Sequence, residues 1–306
     1  MRQRLFFNAR WLWRNALLVS VVILAACGSA TSGTADTDDA RLHVAASIPP
    51  IADMVRQVGG ERIDVLTLVP PGASPHTYEP TPAQMRRLAQ TDVLFLNGVG
   101  LEFWADKAVE AAGNPDLQVV TLSEGMPLLQ SNHQASGNPH LWLSPQRAMT
   151  YVERIRDALI TADPEGEATY RANADTYLAQ LEQLDADIRT AVEGFRSREV
   201  VTFHASWAYF IHDYGLHQAA VLETTPGKEP SAAEVARIVE TIRATGAPAV
   251  FAEPQFPPRA AEVIAAEAGV PVLILDPLGG VPPRETYLKL LRWNLTQLTK
   301  GLGGAP

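Results

Sequence analysis

The chain has 306 residues, 46% hydrophobic and 19% charged. That is long enough for two domains of ordinary size and too apolar for a disordered chain. The net charge is −9, but the first 26 residues hold four arginines and no acid, so 21 of the 25 basic residues face 34 acidic ones in the remainder, a net −13. This balance argues against a nucleic-acid partner, and a single cysteine excludes both a disulfide framework and a Cys-rich zinc module.

Residues 1–26 read as a lipoprotein signal peptide. Arg2, Arg4, Arg10 and Arg14 precede the apolar run Ala16 to Ala26, which is short for a membrane span and ends in Leu24-Ala25-Ala26-Cys27. This ending resembles the lipobox of bacterial lipoproteins, and the resemblance implies cleavage before Cys27 and lipidation of that cysteine. Residues 27–40 are small, polar and acidic, and read as a flexible tether.

From residue 41 short apolar strands alternate with helices. Leu42 to Ala46, Ile63 to Val69, Val93 to Asn97 and Leu117 to Leu122 are strand candidates. Thr81-Pro82-Ala83-Gln84 combines a capping threonine, a proline at the first helical position and a glutamine three residues after the cap; Ser144-Pro145 is expected to open a helix the same way. Asp163-Pro164 precedes a long helix over 165–196, in which Tyr170, Tyr177, Leu181, Leu184, Ile188, Val192 and Phe195 form one stripe at spacings of 7, 4, 3, 4, 4 and 3. A helix of about thirty residues is roughly 45 Å long. A dimeric coiled coil would also produce such a stripe, but a helix running along two lobes accounts better for its central position. Val200 to Phe203, Ala219 to Glu223, Ala249 to Glu253 and Val272 to Asp276 are the later strands, and Ser231-Ala232-Ala233-Glu234 is a capping box for a helix ended by Gly246. The expected fold class is α/β: two Rossmann-like lobes with mostly parallel sheets, 41–164 and 197–306, joined by one long rigid helix.

His76 lies in the proline-stiffened loop Pro70 to Pro80 and His140 in Asn138-Pro139-His140-Leu141-Trp142. His204 and Asp276 each follow directly on a strand. Strand ends and stiff loops are where open α/β sheets bind ligands. Three neutral imidazoles and one carboxylate make a four-ligand set suited to a borderline ion such as zinc, whereas a hard cation prefers more oxygen. Taken singly, each residue also fits a solvated or loop-bracing role. Their separations of 64, 64 and 72 residues do not select them, and the compact His-Glu-x-x-His signature is absent.

The words around these residues do select them. Pro75-His76-Thr77-Tyr78-Glu79-Pro80, Asn97-Gly98 with Gly100-Leu101-Glu102 and Trp104, and Asn138-Pro139-His140-Leu141-Trp142 come in that order. Phe203-His204 with Tyr209-Phe210, Gly227-Lys228-Glu229-Pro230-Ser231, Phe251-Ala252-Glu253-Pro254-Gln255 and Leu275-Asp276-Pro277-Leu278 follow. Over residues 42–300 the chain resembles the bacterial metal-binding lipoproteins and periplasmic proteins that feed zinc or manganese ABC importers, the zinc-uptake and streptococcal surface-antigen type. The resemblance implies one metal between the lobes, held at His76, His140, His204 and Asp276. It also implies an ABC permease as partner, an extracytoplasmic, lipid-anchored location and no catalysis. Manganese members of that family usually carry glutamate at the third position, so His204 points to Zn2+ as the transported ligand, with Mn2+ or Fe2+ the alternative. A zinc hydrolase would need an open coordination position and Glu79 or Glu253 as base.

The same two glutamates are candidates to orient a ligand imidazole, or else each braces its own loop. The loop Gly125 to Gly137 lacks the long His-rich insertion common among zinc importers and holds only His133, read as a solvated residue; His43, His212 and His217 are read as surface or packing residues. A monomer is expected, and the stiff helix is expected to restrict metal capture to small tilts and loop movements.

Overall fold

Residues alternating between two covered faces need helices on both sides, and the chain supplies them in turn. In the computed structural model, which describes residues 41–130, 137–223 and 228–303, the first sheet is built from β1 (Leu42–Ala46), β2 (Ile63–Thr67), β3 (Val93–Leu96) and β4 (Gln118–Thr121). All pairs are parallel and the order is β2-β1-β3-β4. Val44 and Ala46 point into the large central core, whereas Ala45 points into a smaller core on the opposite face, the two-residue period expected of a doubly covered sheet. Helices α1 (Pro49–Gly59), α2 (Pro82–Leu88), α3 (Ala105–Ala112) and α4 (Pro145–Ala162) accompany it.

The second sheet repeats the plan with β5 (Glu199–Thr202), β6 (His217–Val221), β7 (Val250–Ala252) and β8 (Val272–Ile274), again parallel, in the order β6-β5-β7-β8. Between the sheets in sequence runs α5 (Glu167–Glu193), 27 residues long. Its stripe of Tyr170, Tyr177, Leu181, Leu184, Ile188 and Val192 is buried throughout, as is Phe195 just beyond its end. The helix packs on α1 and α4 at one side and on α9 (Tyr287–Leu302) at the other. One hydrophobic core therefore continues from Val44 to Leu302 through both lobes. The remaining helices are α6 (Ala208–Asp213), α7 (Ala232–Thr245) and α8 (Arg259–Ala268).

Local signals acted as read at Thr81 and Ser231, where both halves of each capping box are made, and at Gly246, which ends α7 in the left-handed conformation. Ser144 is a correction: proline does open α4, but the serine hydroxyl does not cap it and instead donates to Asp213 Oδ2 at 2.7 Å. Arg147 pairs with the same carboxylate at 2.9 Å while stacking over Tyr209, so α4 of the first lobe is tied to α6 of the second. A second tie joins α1 to α9: the buried Asp53 accepts from the Tyr287 backbone N–H at 2.9 Å, at the opening turn of α9. Burial pushes the Asp53 carboxyl above its ordinary range. The expected signal peptide, tether, Cys27 and His133 lie outside the described residues.

Candidate metal centre

His76 stands in the loop after β2, His140 immediately before the short turn that leads into α4, and His204 directly after β5. Residues 64 positions apart thus meet at the carboxyl ends of the two sheets, the place open parallel sheets offer a ligand. The three imidazoles form one cluster whose ligand atoms all lie within 4.8 Å of one another. His140 Nε2 is 3.2 Å from His76 Nε2 and 3.1 Å from His204 Nε2.

The outer nitrogens decide which atoms face inward. Asn138 Oδ1 accepts from His140 Nδ1 at 2.9 Å, an orientation fixed because the same amide donates to the Ala205 carbonyl at 2.7 Å. His204 Nδ1 lies 2.9 Å from Glu253 Oε2, whose other oxygen accepts from Ser206. The His204–Glu253 contact is too poorly aligned for a full hydrogen bond, yet neither atom has another hydrogen-bond partner and both are buried. With a proton on each Nδ1, the Nε2 atoms of His140 and His204 present lone pairs to each other at 3.1 Å. Two acceptors so placed repel unless a proton or a cation sits between them.

On two of the three rings a proton is disfavoured. Burial, with the charge of His204 as a smaller cause, pushes His76 down to about 3. Burial likewise holds His140 well below its ordinary value, with His204 and His76 contributing. A divalent ion fits. Nitrogens bound at about 2.05 Å in a tetrahedron stand about 3.3 Å apart. Cis ligands of an octahedral ion with bonds of about 2.2 Å stand about 3.1 Å apart. The spacing of these two pairs therefore fits a divalent ion without choosing among metals. The cavity lined by the three histidines, Trp142, Phe256 and Leu278 has about 10 Å3, room for a single ion-sized particle and for no organic solute.

The loop carrying His140 is held from behind. Tyr151 donates to Asn97 Oδ1 at 2.6 Å, and Asn97 Nδ2 donates to the Pro139 carbonyl at 2.8 Å. The Glu102 carboxylate in turn accepts from the backbone N–H groups of Asn97 and Gly98 at 2.9 and 3.0 Å. Gly98 has φ +90°, and a Cβ there would stand 2.4 Å from Thr121, so this turn accepts only glycine.

The other expected site residues are placed differently from one another. Glu253 stands against His204, in position to orient it. Glu79 is exposed and lines a separate surface groove with Phe103, Trp104 and Lys107. Asp276 is not part of the imidazole cluster: it is buried just after β8 and its carboxylate pairs with Arg284 at 2.8 Å. His212 and His217 are exposed and pair with Asp213 and Glu199; His43, on β1, has its imidazole 4.0 Å from Asp64. Asn138 was missing from the expected site, although its place two residues before His140 is a local signal that an amide could reach back to the ring.

Comparison with known proteins follows the same lines. The profile of the family described as "Zinc-uptake complex component A periplasmic" (ZnuA) matches residues 44–301. The chain is 30% identical to the manganese-binding lipoprotein MntA of Halalkalibacterium halodurans, over 94% of this chain and 96% of that protein. It is 27% identical to the high-affinity zinc uptake system protein ZnuA of Bacillus subtilis, over 96% and 98%. The crystal structure of a zinc-bound ZnuA with residues 138–173 of its own sequence deleted superposes with a TM-score of 0.79 at 32% identity, covering 87% of this chain and all of the other.

Proposed function

Since the chain belongs to the ZnuA family of metal-binding substrate-binding proteins of ABC importers, we propose that its cargo is Zn2+, taken up at His76, His140 and His204 and handed to the membrane permease. The family role makes it a transport component and not an enzyme. The observation that carries the zinc reading is the convergence of the three imidazoles in a cavity of one ion's size. Nitrogen donors favour zinc over manganese, and an imidazole at the third position rather than a carboxylate strengthens that preference. The Nδ1 partners of His140 and His204 are what a metal-bound imidazole requires to keep its tautomer and its aim.

In this reading Asp276 serves as the fourth, oxygen ligand, and four protein ligands leave no position for an activated water. Residues 1–26 act as the lipoprotein signal peptide, lipid on Cys27 anchors the protein on the outer side of the cell membrane, and residues 27–40 tether a monomeric body to it. The long helix and the two cross-lobe ties restrict capture to small tilts and loop movements.

The test is elemental analysis of residues 41–306, demetallated and then offered zinc, manganese and iron together under reducing, oxygen-free conditions. One equivalent of zinc is expected. A preference for manganese or iron would keep the transport role and overturn the cargo.

A further inference from the structure

Asp276 is 1% exposed and every part of its carboxylate is engaged. Oδ1 accepts from the backbone N–H groups of Leu278 and Gly279 at 3.0 and 3.1 Å and from Gln255 Nε2 at 2.9 Å. Oδ2 pairs with Arg284 Nε at 2.8 Å. The two oxygens therefore have different tasks. Oδ1 fixes the carboxylate to its own turn, while Oδ2 faces a single long side chain.

Arg284 has a built seat. Its side chain is largely buried, and the guanidinium lies over the Trp293 ring at 4.4 Å from the centroid. Gln255, which donates to Asp276, lines the histidine cavity, as do Pro277 and Leu278, the next two residues of the chain, so the carboxylate is tied to the cavity wall through Gln255. A fixed cation paired with this carboxylate opposes loading of a divalent ion by like charge. As a purely structural pair it adds little stability over a well-packed apolar pair.

From this arrangement we infer that Arg284 is a displaceable counter-ion for the fourth ligand. While the histidines hold no metal, it neutralises Asp276 and keeps Oδ2 in reserve. When a divalent ion enters, Oδ2 exchanges the guanidinium for the ion, and the negative charge that balanced Arg284 balances the metal instead. Arg284 thus lowers affinity on loading and competes for the carboxylate on release. It is a positioning residue, acting on the metal through Asp276. The inference rests on the reading that the histidine triad binds a divalent ion.

The test uses the complete lipid-free protein from residue 28 onward and four variants: R284M, which keeps the stem but not the charge, R284K, which keeps the charge, D276N, and R284M/D276N. Zinc affinity is measured by competition with a chromogenic chelator and zinc release by stopped flow. The visible spectrum of the Co2+-loaded protein reports the coordination number. R284M is expected to bind zinc at least about tenfold tighter and to release it correspondingly more slowly, with R284K within about threefold of the wild type. In the D276N background R284M is expected to change affinity less than about twofold, because the carboxylate it acts through is gone. Unchanged or weaker binding by R284M, or an equal effect with and without Asp276, overturns the inference.

Should R284M fail to fold, nitrogen-15 NMR of the wild-type arginine side chains decides. The Arg284 Nε–H signal is expected to shift on titration with one equivalent of zinc, and an unmoved signal overturns the exchange. Failure of the wild type to bind zinc or cobalt stoichiometrically would overturn the triad reading itself; stoichiometric binding with no effect at Arg284 overturns this inference alone.

Discussion

Acidifying the metal-free protein separates its buried imidazoles from ordinary ones. His76 is pushed from 6.5 down to about 3, mainly by burial. Above about pH 7 neither the folded nor the unfolded chain binds a proton there, so the residue costs nothing. As the pH falls through 6.5 the unfolded imidazole takes up a proton that the folded one refuses, and stability drains away until about pH 3. Between pH 7 and pH 5 the loss from this one residue is about 2 kcal/mol, at 1.4 kcal/mol per pH unit. The figure is insensitive to the folded value so long as that lies below about 4, because the unfolded value sets the upper edge of the window.

Glu102 and Asp53 work in the opposite direction, since burial holds both above the ordinary carboxyl range and their protonated folded forms gain as the pH falls. The whole profile is therefore a sum of opposed contributions, and a difference isolates His76. Urea unfolding of the chelator-treated wild type and of His76→Leu at pH 7 and pH 5 supplies it. The wild type should lose about 2 kcal/mol more than the variant over that interval. Equal losses would mean that His76 titrates normally in the fold, and would refute the claim that burial keeps His76 proton-free.

Three further outcomes follow from the geometry. Glu253→Gln keeps the size but not the charge beside His204 Nδ1, and should weaken zinc binding about 10–100-fold by chelator competition without changing stoichiometry. Asn138→Ala frees the His140 ring and cuts the bond to the Ala205 carbonyl; titration calorimetry should show at least about tenfold weaker binding. Leu184→Ala opens a cavity in the core beneath α5 and should cost about 2–5 kcal/mol in urea unfolding while leaving one metal site per chain.

Much of this was legible along the chain because the signals are local. Seven of the eight strands of the described residues fall on the expected short apolar runs, while β6 begins two residues early on the polar pair His217-Gln218, and the stripe on α5 reads as helical by spacing alone. Capping boxes at Thr81 and Ser231 mark their helices for the same reason. The Ser144 hydroxyl misled, because a partner 69 residues away outcompeted the local backbone. What connects the lobes was hidden for the same cause: Arg147 with Asp213 and Asp53 with Tyr287 each join positions far apart in sequence, and no local pattern pairs them. The Asp276 environment was half legible. Its place after a strand was clear, but nothing local announces that Arg284, eight residues on, holds the carboxylate.

The central claim is that three imidazoles hold one divalent ion. X-ray absorption at the zinc edge of the protein loaded with one equivalent tests it most directly. Three imidazole nitrogens at about 2.0–2.1 Å, with their outer-ring scattering, are expected, and the loss of one of them in His140→Ala. A shell of oxygens without imidazole scattering, or one unchanged in His140→Ala, would contradict it.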